Sequence, residues 1–252
     1  MKAIHFSNDV PTHIKHFLNS YDAIFWSANI EVHIDTSQVH IIDRNNILSP
    51  LKLSFVDTKT ETILRKINNQ QPLIKACNIK NINETPIKIL DLTAGMGQDS
   101  LILSTLNQPL ISVERNPITA AILQTLVYQY LEQKPCNWTV IQDCSLHWLS
   151  QKNKPSASHI YFDPFFNKRK SALPKNTMQW TQKFGQQDPE TDDNALFALA
   201  LAHAEERVIV KRDRKACFIA GKKPNQGSIF QKTSRFDCYK TSSQSNDNTP
   251  SY

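Results

Sequence analysis

The stretch Asp91-Leu92-Thr93-Ala94-Gly95-Met96-Gly97-Gln98-Asp99 constrains the fold more than any other, because two of the chain's five glycines fall within three residues. It follows Ile87-Lys88-Ile89-Leu90, an apolar run that reads as a buried strand, and precedes Ser100-Leu101-Ile102-Leu103, which reads as the start of a helix. A strand ending in an acid, a tight Gly-x-Gly turn and a helix form the unit with which α/β folds seat an adenosyl cofactor. The glycines let the backbone turn sharply and approach a ligand, and the helix N-terminus offers unpaired N–H groups. A dinucleotide fingerprint fits poorly, since its third glycine position is Ser100 and Asp91 stands at the strand tip.

Bulk properties set the frame. A chain of 252 residues with 40% hydrophobic side chains can bury one large α/β domain, with or without a small appendage. A net charge of +6 favours a polyanionic partner. The five cysteines (Cys77, Cys136, Cys144, Cys217, Cys238) are odd in number and show no C-x-x-C spacing, so they read as reduced thiols. The eight histidines show neither metal-ligand spacing nor the order of a Ser-His-Asp triad, and no metal is expected. No apolar run approaches the ~18 residues of a membrane span, and the N-terminus has no signal-peptide pattern. The expectation is a cytoplasmic protein.

Residues 1–85 read as a small α/β appendage. Glu31–Asp35, Val39–Ile42 and Leu51–Phe55 alternate like half-buried strands, and helical stretches follow at Thr58 to about Asn68 and around Leu73–Cys77. Residues 86–240 alternate short apolar strands with helices, the pattern of a parallel sheet. Strands are expected at Leu110–Glu114, Trp138–Asp143, His159–Asp163 and Arg207–Lys211. Asn116-Pro117 opens a long amphipathic helix, with Asn as N-cap and Pro in the first turn. Pro164 to about Asp188 reads as a long polar loop, and Asp192–His203 as a helix. Cys217–Ala220, Ser228–Phe230 and Arg235–Tyr239 are candidate antiparallel strands. The Ser/Asn/Thr-rich residues 241–252 read as a disordered tail.

Ligands of parallel sheets bind beyond the carboxyl ends of the strands, and here those ends carry Asp91, Glu114, Asp143, Asp163 and Lys211. Glu114, about twenty residues past the glycine turn, is placed to accept ribose hydroxyls. Asp143, Cys144 and Ser145 are placed to bracket an adenine ring, although Asp143-x-Ser145 also suits an ordinary helix N-cap. Asp163-Pro164-Phe165-Phe166 is the second sharp signal: an acid, a rigid proline and two aromatics can together hold a planar amine. A carboxylate and a backbone carbonyl accept its N–H bonds while an aromatic face fixes the ring plane. Between Lys168 and Lys183 lie five basic residues and no acidic one, and Lys211, Arg212, Arg214, Lys215, Lys222 and Lys223 form a second cluster. Lys168, Arg169, Lys170, Lys211 and Arg212 are the expected phosphate contacts, and Phe165, Phe166 and Trp180 the candidate stacking rings, Trp180 fitting packing better.

Asp-x-Thr-Ala-Gly-x-Gly-x-Asp, Glu114-Arg115-Asn116-Pro117, Tyr161-Phe162-Asp163-Pro164, Lys168-x-Lys170-Ser171-Ala172-Leu173, Val210-Lys211-Arg212 and Ser234-Arg235-Phe236-Asp237-x-Tyr239 occur in this order. In that combination the chain resembles the RsmJ family, bacterial small-subunit ribosomal RNA guanine-N2 methyltransferases, from about Phe55 to Tyr239. The resemblance implies a Rossmann-like class I S-adenosylmethionine-dependent methyltransferase sheet, S-adenosyl-L-methionine as cofactor, and 16S rRNA or the small ribosomal subunit as partner. It implies cofactor contacts from Gln98 and Asp99 after the turn, Glu114 and Arg115, Cys144 and Ser145, and Asp163. Asp91, Gly95, Gly97 and Asp143 join them on the reading of the turn and strand ends. The implied reaction methylates the exocyclic N2 of a guanosine. Other planar amines, namely adenine N6 of DNA or RNA or a protein glutamine, suit the same Asp-Pro-aromatic motif, and an rRNA-binding assembly factor is the non-enzymatic alternative.

Overall fold

A computed structural model describes residues 2–79, 87–151, 156–164, 176–185 and 192–241. The first part of the chain forms β1 (Ile4–Phe6), α1 (Thr12–Asn19), α2 (Asp22–Ser27), β2 (Ile30–Ile34), β3 (Val39–Asp43), β4 (Leu51–Leu53), α3 (Thr58–Arg65) and α4 (Pro72–Cys77). There follow β5 (Ile89–Asp91), α5 (Gln98–Ser104), β6 (Leu110–Glu114), α6 (Pro117–Gln133), β7 (Trp138–Gln142), α7 (Ser145–Ser150) and β8 (Ala157–Phe162). The chain continues through α8 (Asn176–Gly185), α9 (Asp193–His203), β9 (Ala204–Asp213), β10 (Ser228–Phe230) and β11 (Ser234–Lys240).

Two sheets result. The larger has seven strands in the order β10-β11-β9-β8-β5-β6-β7; β5 to β9 are mutually parallel, and β11 runs antiparallel to both its neighbours. The chain lays β6 and β7 on one side of β5, then returns to place β8 and β9 on the other. This reversal is a topological switch point, beyond which a parallel sheet opens a ligand crevice. β5 and β8 are buried at every position, as strands covered on both faces must be. The smaller sheet, β1-β2-β3-β4, instead alternates buried and accessible residues along β2 and β3.

The two sheets share a hydrophobic cluster. It runs from Val32, Ile34 and Val39 through Leu126 and Ile122 of α6 to Ile89 and Leu110. The opposite face of the large sheet is sealed by α7 and α9, with Trp148, Phe162, Phe197 and Tyr239 in contact. Helix α6 therefore lies between two apolar surfaces, and eleven of its seventeen residues are buried. That corrects the amphipathic reading of its sequence: the second face that should be wet is covered by the small sheet. Gln129, on the same helix, spends its amide on the Asp35 carbonyl at 2.7 Å. The expected start of the helix holds, with the Asn116 side chain accepting from the N–H groups of Ile118 and Thr119 and Pro117 in the first turn.

Two other expectations meet the structure differently. The stretch read as a loop from Pro164 contains α8, whose Trp180 and Phe184 rings sit 5.5 Å apart, one helical turn from each other. Trp180 is wholly buried and so packs rather than stacks on a ligand. Cys217–Ala220 is not a strand: Ala220 and Gly221 take φ of 48° and 66°, and a short 3₁₀ turn replaces the extended chain. The elements β1, α1 and α2 have no counterpart in the sequence reading. All five cysteines are free. Among the described residues no helix is long and apolar enough to cross a membrane. The tail expected to be disordered lies almost wholly outside the described residues.

Candidate active site

The carboxyl ends of β5, β6, β7 and β8 converge, and backbone hydrogen bonds lock them together. Leu92 N–H reaches the Tyr161 carbonyl, Ala94 N–H the Val113 carbonyl, and Asp143 N–H the Glu114 carbonyl. Ser145 Oγ–H donates to the Leu92 carbonyl, and Asp163 N–H donates to Thr93 Oγ1 at 2.6 Å. The loop Asp91–Gly97 is thus the hub to which the expected adenine-side and amine-side residues are both tied.

Both glycines of the turn have positive φ, 54° at Gly95 and 77° at Gly97, where side chains are strained. Their surroundings differ. A Cβ on Gly97 would meet Leu123 Cδ1 at 2.3 Å, so this glycine lets the turn settle on α6. A Cβ on Gly95 would meet nothing within 4 Å, so this glycine keeps space open at the strand ends. Gly95 N–H also donates to Glu114 Oε2 at 2.8 Å, and Asn116 N–H holds Oε1 at 2.8 Å. Glu114 is thereby oriented beside the open space, and a carboxylate oxygen can accept more than one hydrogen bond. These features fit an adenosyl group with its ribose against Glu114. Gln98 begins α5 and is exposed, Arg115 follows Glu114, and Asp143 holds His147 Nδ1 at 2.9 Å. Cys144 caps α7 through its backbone carbonyl, which accepts from Trp148 N–H at 2.7 Å.

Asp91 lies beneath the turn, 1% exposed, and does not face the open space. Its carboxyl accepts Thr93 N–H at 3.1 Å and Ser100 Oγ–H at 2.5 Å. Ser100 Oγ in turn accepts from Ser112, and Ser112 accepts the Trp138 indole N–H at 2.9 Å. A buried chain of donors thus crosses from β7 to β5. Burial pushes the Asp91 carboxyl up to about 7, against the pull of those two donors, and the charges of Asp99 and Asp163 add to the rise.

Asp163 sits one residue beyond β8 with its side chain 39% exposed. The Lys211 ammonium binds Asp163 Oδ2 at 3.0 Å and Asp99 Oδ2 at 2.7 Å, and Tyr161 O–H donates to the same Asp99 oxygen at 2.6 Å. Burial alone would lower the Lys211 pKa, but Asp99 and Asp163 outweigh it and hold the lysine charged. Burial, reinforced by the three neighbouring acids, raises the Tyr161 hydroxyl far above its ordinary range, so it remains a donor. Tyr161 and Thr93 are site residues that sequence reasoning missed. Tyr161 could have been found by its spacing, two residues before Asp163 on the same strand face.

Two expected phosphate contacts are corrected. Lys211 is committed to the two acids, and Arg212 is 8% exposed with its guanidinium on the Cys217 carbonyl at 2.7 Å. The physical reason is that β9 runs on to Asp213 and is paired with β11 along that length, so Arg212 is covered within a paired strand where an exposed rim was expected. Pro164 is buried behind Asp163. Phe165, Phe166, Lys168, Arg169 and Lys170 lie outside the described residues.

A seven-stranded sheet of this order, with a glycine turn at its switch point and acids on successive strand ends, defines a class I S-adenosylmethionine-dependent methyltransferase fold. A solved SAM-dependent methyltransferase from Neisseria gonorrhoeae has the same fold, with a TM-score of 0.68 over 99% of both chains at 19% identity. The family model described as "Putative SAM-dependent methyltransferase" matches residues 24–241. A ribosomal RNA small subunit methyltransferase J of Legionella pneumophila (strain Corby) is 37% identical over 202 residues, 77% of this chain and 79% of the relative. One from Marinobacter nauticus is 38% identical over 161 residues, which span 61% of this chain and 56% of that one. The chain belongs to this SAM-dependent methyltransferase family, the RsmJ family.

Proposed function

We propose that the protein transfers a methyl group from S-adenosyl-L-methionine to the exocyclic N2 of a guanosine in 16S rRNA. One observation carries the reading: Asp163, its backbone N–H held by Thr93 and its part-exposed carboxylate by Lys211, stands next to an open glycine turn that fits an adenosyl group. The names of the relatives supply the substrate class, small-subunit ribosomal RNA.

Glu114 and the Gly95–Gly97 turn would hold the nucleoside part of the cofactor, with Gln98, Arg115, Asp143, Cys144 and Ser145 around it. When bound, the cofactor supplies an electrophilic sulfonium methyl. The exocyclic amine of guanine is a weak nucleophile because its lone pair is delocalised, so positioning must provide much of the acceleration. The Asp163 carboxylate accepts an amine N–H and fixes the direction of the nitrogen lone pair. Lys211, in an ion pair with that carboxylate at 3.0 Å, keeps its orientation fixed, and it stays too firmly protonated to act as a base. Asp163 is then the nearest group able to take the proton released as the N–C bond forms. The Pro164 carbonyl would accept the second amine N–H, Phe165 or Phe166 would stack on the extruded base, and Lys168, Arg169 and Lys170 would contact phosphates.

The test is methyl transfer from labelled cofactor to small ribosomal subunits from cells lacking the gene, with nucleoside analysis of the product. The wild type should yield N2-methylguanosine, and Asp163→Ala should lower turnover on the order of 10²–10³-fold with cofactor binding retained. Label in adenine N6 or in protein would move the substrate to those amines. No label despite cofactor binding would leave a binding factor and defeat the reading.

A further inference from the structure

The outer face of the small sheet carries a second constellation, which the methyl-transfer site does not use. β1 and β2 pair in parallel with His5 opposite His33, and β2 and β3 pair antiparallel with His33 opposite His40. Three imidazoles therefore stand in one row across three strands, on the face opposite the buried Ile4, Val32 and Val39. Glu31 lies two residues before His33 and so projects from the same face. The His5 and His33 rings stack, with centroids 4.8 Å apart and planes inclined by 17°. Their Nε2 atoms approach a single oxygen, Glu31 Oε1, at 3.5 Å and 2.7 Å. The three candidate donor atoms all lie within 4.8 Å of one another.

We propose that His5 Nε2, Glu31 and His33 Nε2 bind one divalent transition-metal ion, of which zinc is the best match. Donors 2.0–2.1 Å from a tetrahedral ion stand about 3.3 Å apart. The His5–Glu31 separation already has that value to within a few tenths of an ångström, and the His33–Glu31 pair, now a hydrogen bond, opens by roughly half an ångström as the cation replaces the shared proton. Two imidazoles and one carboxylate select a borderline cation: magnesium and calcium want oxygen donors throughout, and cuprous ion wants sulfur. A cleft of about 350 Å³, lined by His5, His33, His40, Asp35, Gln38 and Lys52, adjoins the two imidazole donors and leaves room for water at the remaining position. The ion would clamp β1, an edge strand of only three residues, onto β2. The sequence concealed the site because its donors come from strands 26 residues apart, joined only by the parallel register.

The experiment is calorimetric titration of zinc chloride into untagged, chelator-treated full-length protein, with a parallel cobalt titration followed by its visible spectrum. One-to-one binding is expected, together with a melting temperature that rises with metal. His5→Gln and His33→Gln should each weaken binding by at least about tenfold, because a lost ligand costs no less than a lost supporting hydrogen bond. Both residues are solvent-facing, so the variants should keep the wild-type circular dichroism, and Glu31→Gln provides a third, milder substitution. Cys217→Ser should bind as the wild type does. Zinc affinity unchanged in both histidine variants, a thiolate-to-cobalt charge-transfer band, or no one-to-one binding at micromolar metal would each overturn the assignment.

Discussion

Asp43 and Asp91 occupy equivalent places in the two sheets, each the last residue of its strand and each 1% exposed, yet their carboxyls are driven in opposite directions. Burial would raise Asp43, but Lys183 Nζ at 2.9 Å and the N–H groups of Asn45 and Leu48 outweigh it and lower its pKa. Burial raises Asp91 to about 7, because its two donors are a hydroxyl and one amide and its charged neighbours are acids. The difference is where the lysine goes. In the small sheet the cation comes to the buried acid. In the large sheet Lys211 passes over Asp91 and is spent on the outer acids Asp99 and Asp163. The same pair of residue types, a buried strand-end acid and a lysine, is thus arranged in two ways: paired with each other at the small-sheet edge, and apart at the edge of the large sheet, where the lysine joins the outer acids.

The largest effect should come from breaking the small-sheet pair. Asp43→Ala removes a buried acceptor from one ammonium and two backbone donors, and urea denaturation near neutral pH should show a loss of about 3 kcal/mol. Because the folded pKa of Asp43 is lowered, its contribution is present above the ordinary value of 3.8 and fades as pH falls through the lowered one. The gap between wild type and variant should therefore close in acid. A gap that stays constant down to roughly pH 2 would mean that the lysine contributes nothing.

Asp91 should show the opposite sign. A carboxyl raised in the fold from 3.8 to about 7 favours the folded state in its neutral form. That contribution is complete below the ordinary value and is lost as pH rises through the folded one. Between roughly pH 5 and roughly pH 8 the wild type should lose about 2.5 kcal/mol from this group, and Asp91→Asn, which keeps an acceptor for Ser100 and carries no charge, should not. The two stability curves should converge in acid and separate in base. Parallel curves would show that Asp91 is ionised throughout and would remove the contrast with Asp43.

The large sheet was the legible half of the molecule. Strands buried on both faces write continuous apolar runs, as in Ile160-Tyr161-Phe162, and a strand–Gly-x-Gly–helix unit writes its own turn, so the switch point and its acids could be located from residues alone. Pairing is written less clearly. That Lys211 would be held between Asp99 and Asp163, or that Arg212 would be interior, depends on β9 running beside β8 and β11 to its end. The small sheet was harder, because β1 has three residues and joins by a parallel register that leaves no periodic trace. Helix α6 read as amphipathic because nothing local says that its polar-looking side, Thr125 and Gln129, meets a second sheet.

The smallest predicted effect tests whether that second sheet also supports the segment after Asp163. Helix α8 is tied to it three times: Lys183 to Asp43, Asn176 Nδ2 to the Pro50 carbonyl at 3.0 Å, and Trp180 Nε1 to the Ser49 carbonyl at 3.0 Å. Trp180→Phe keeps an aromatic ring against Phe184 and removes only the indole N–H and some volume. Ser49 is exposed, so water can satisfy its carbonyl, and the cost should be about 1 kcal/mol. Lys183 Nζ lies 5.8 Å from the Trp180 ring, one turn away on the same helix, so the two tethers should be coupled. In a double-mutant cycle with Lys183→Met, the combined loss should differ from the sum of the single losses by at least about 0.5 kcal/mol. Strict additivity would mean that α8 is held at independent points, the Lys183–Asp43 pair acting without help from Trp180.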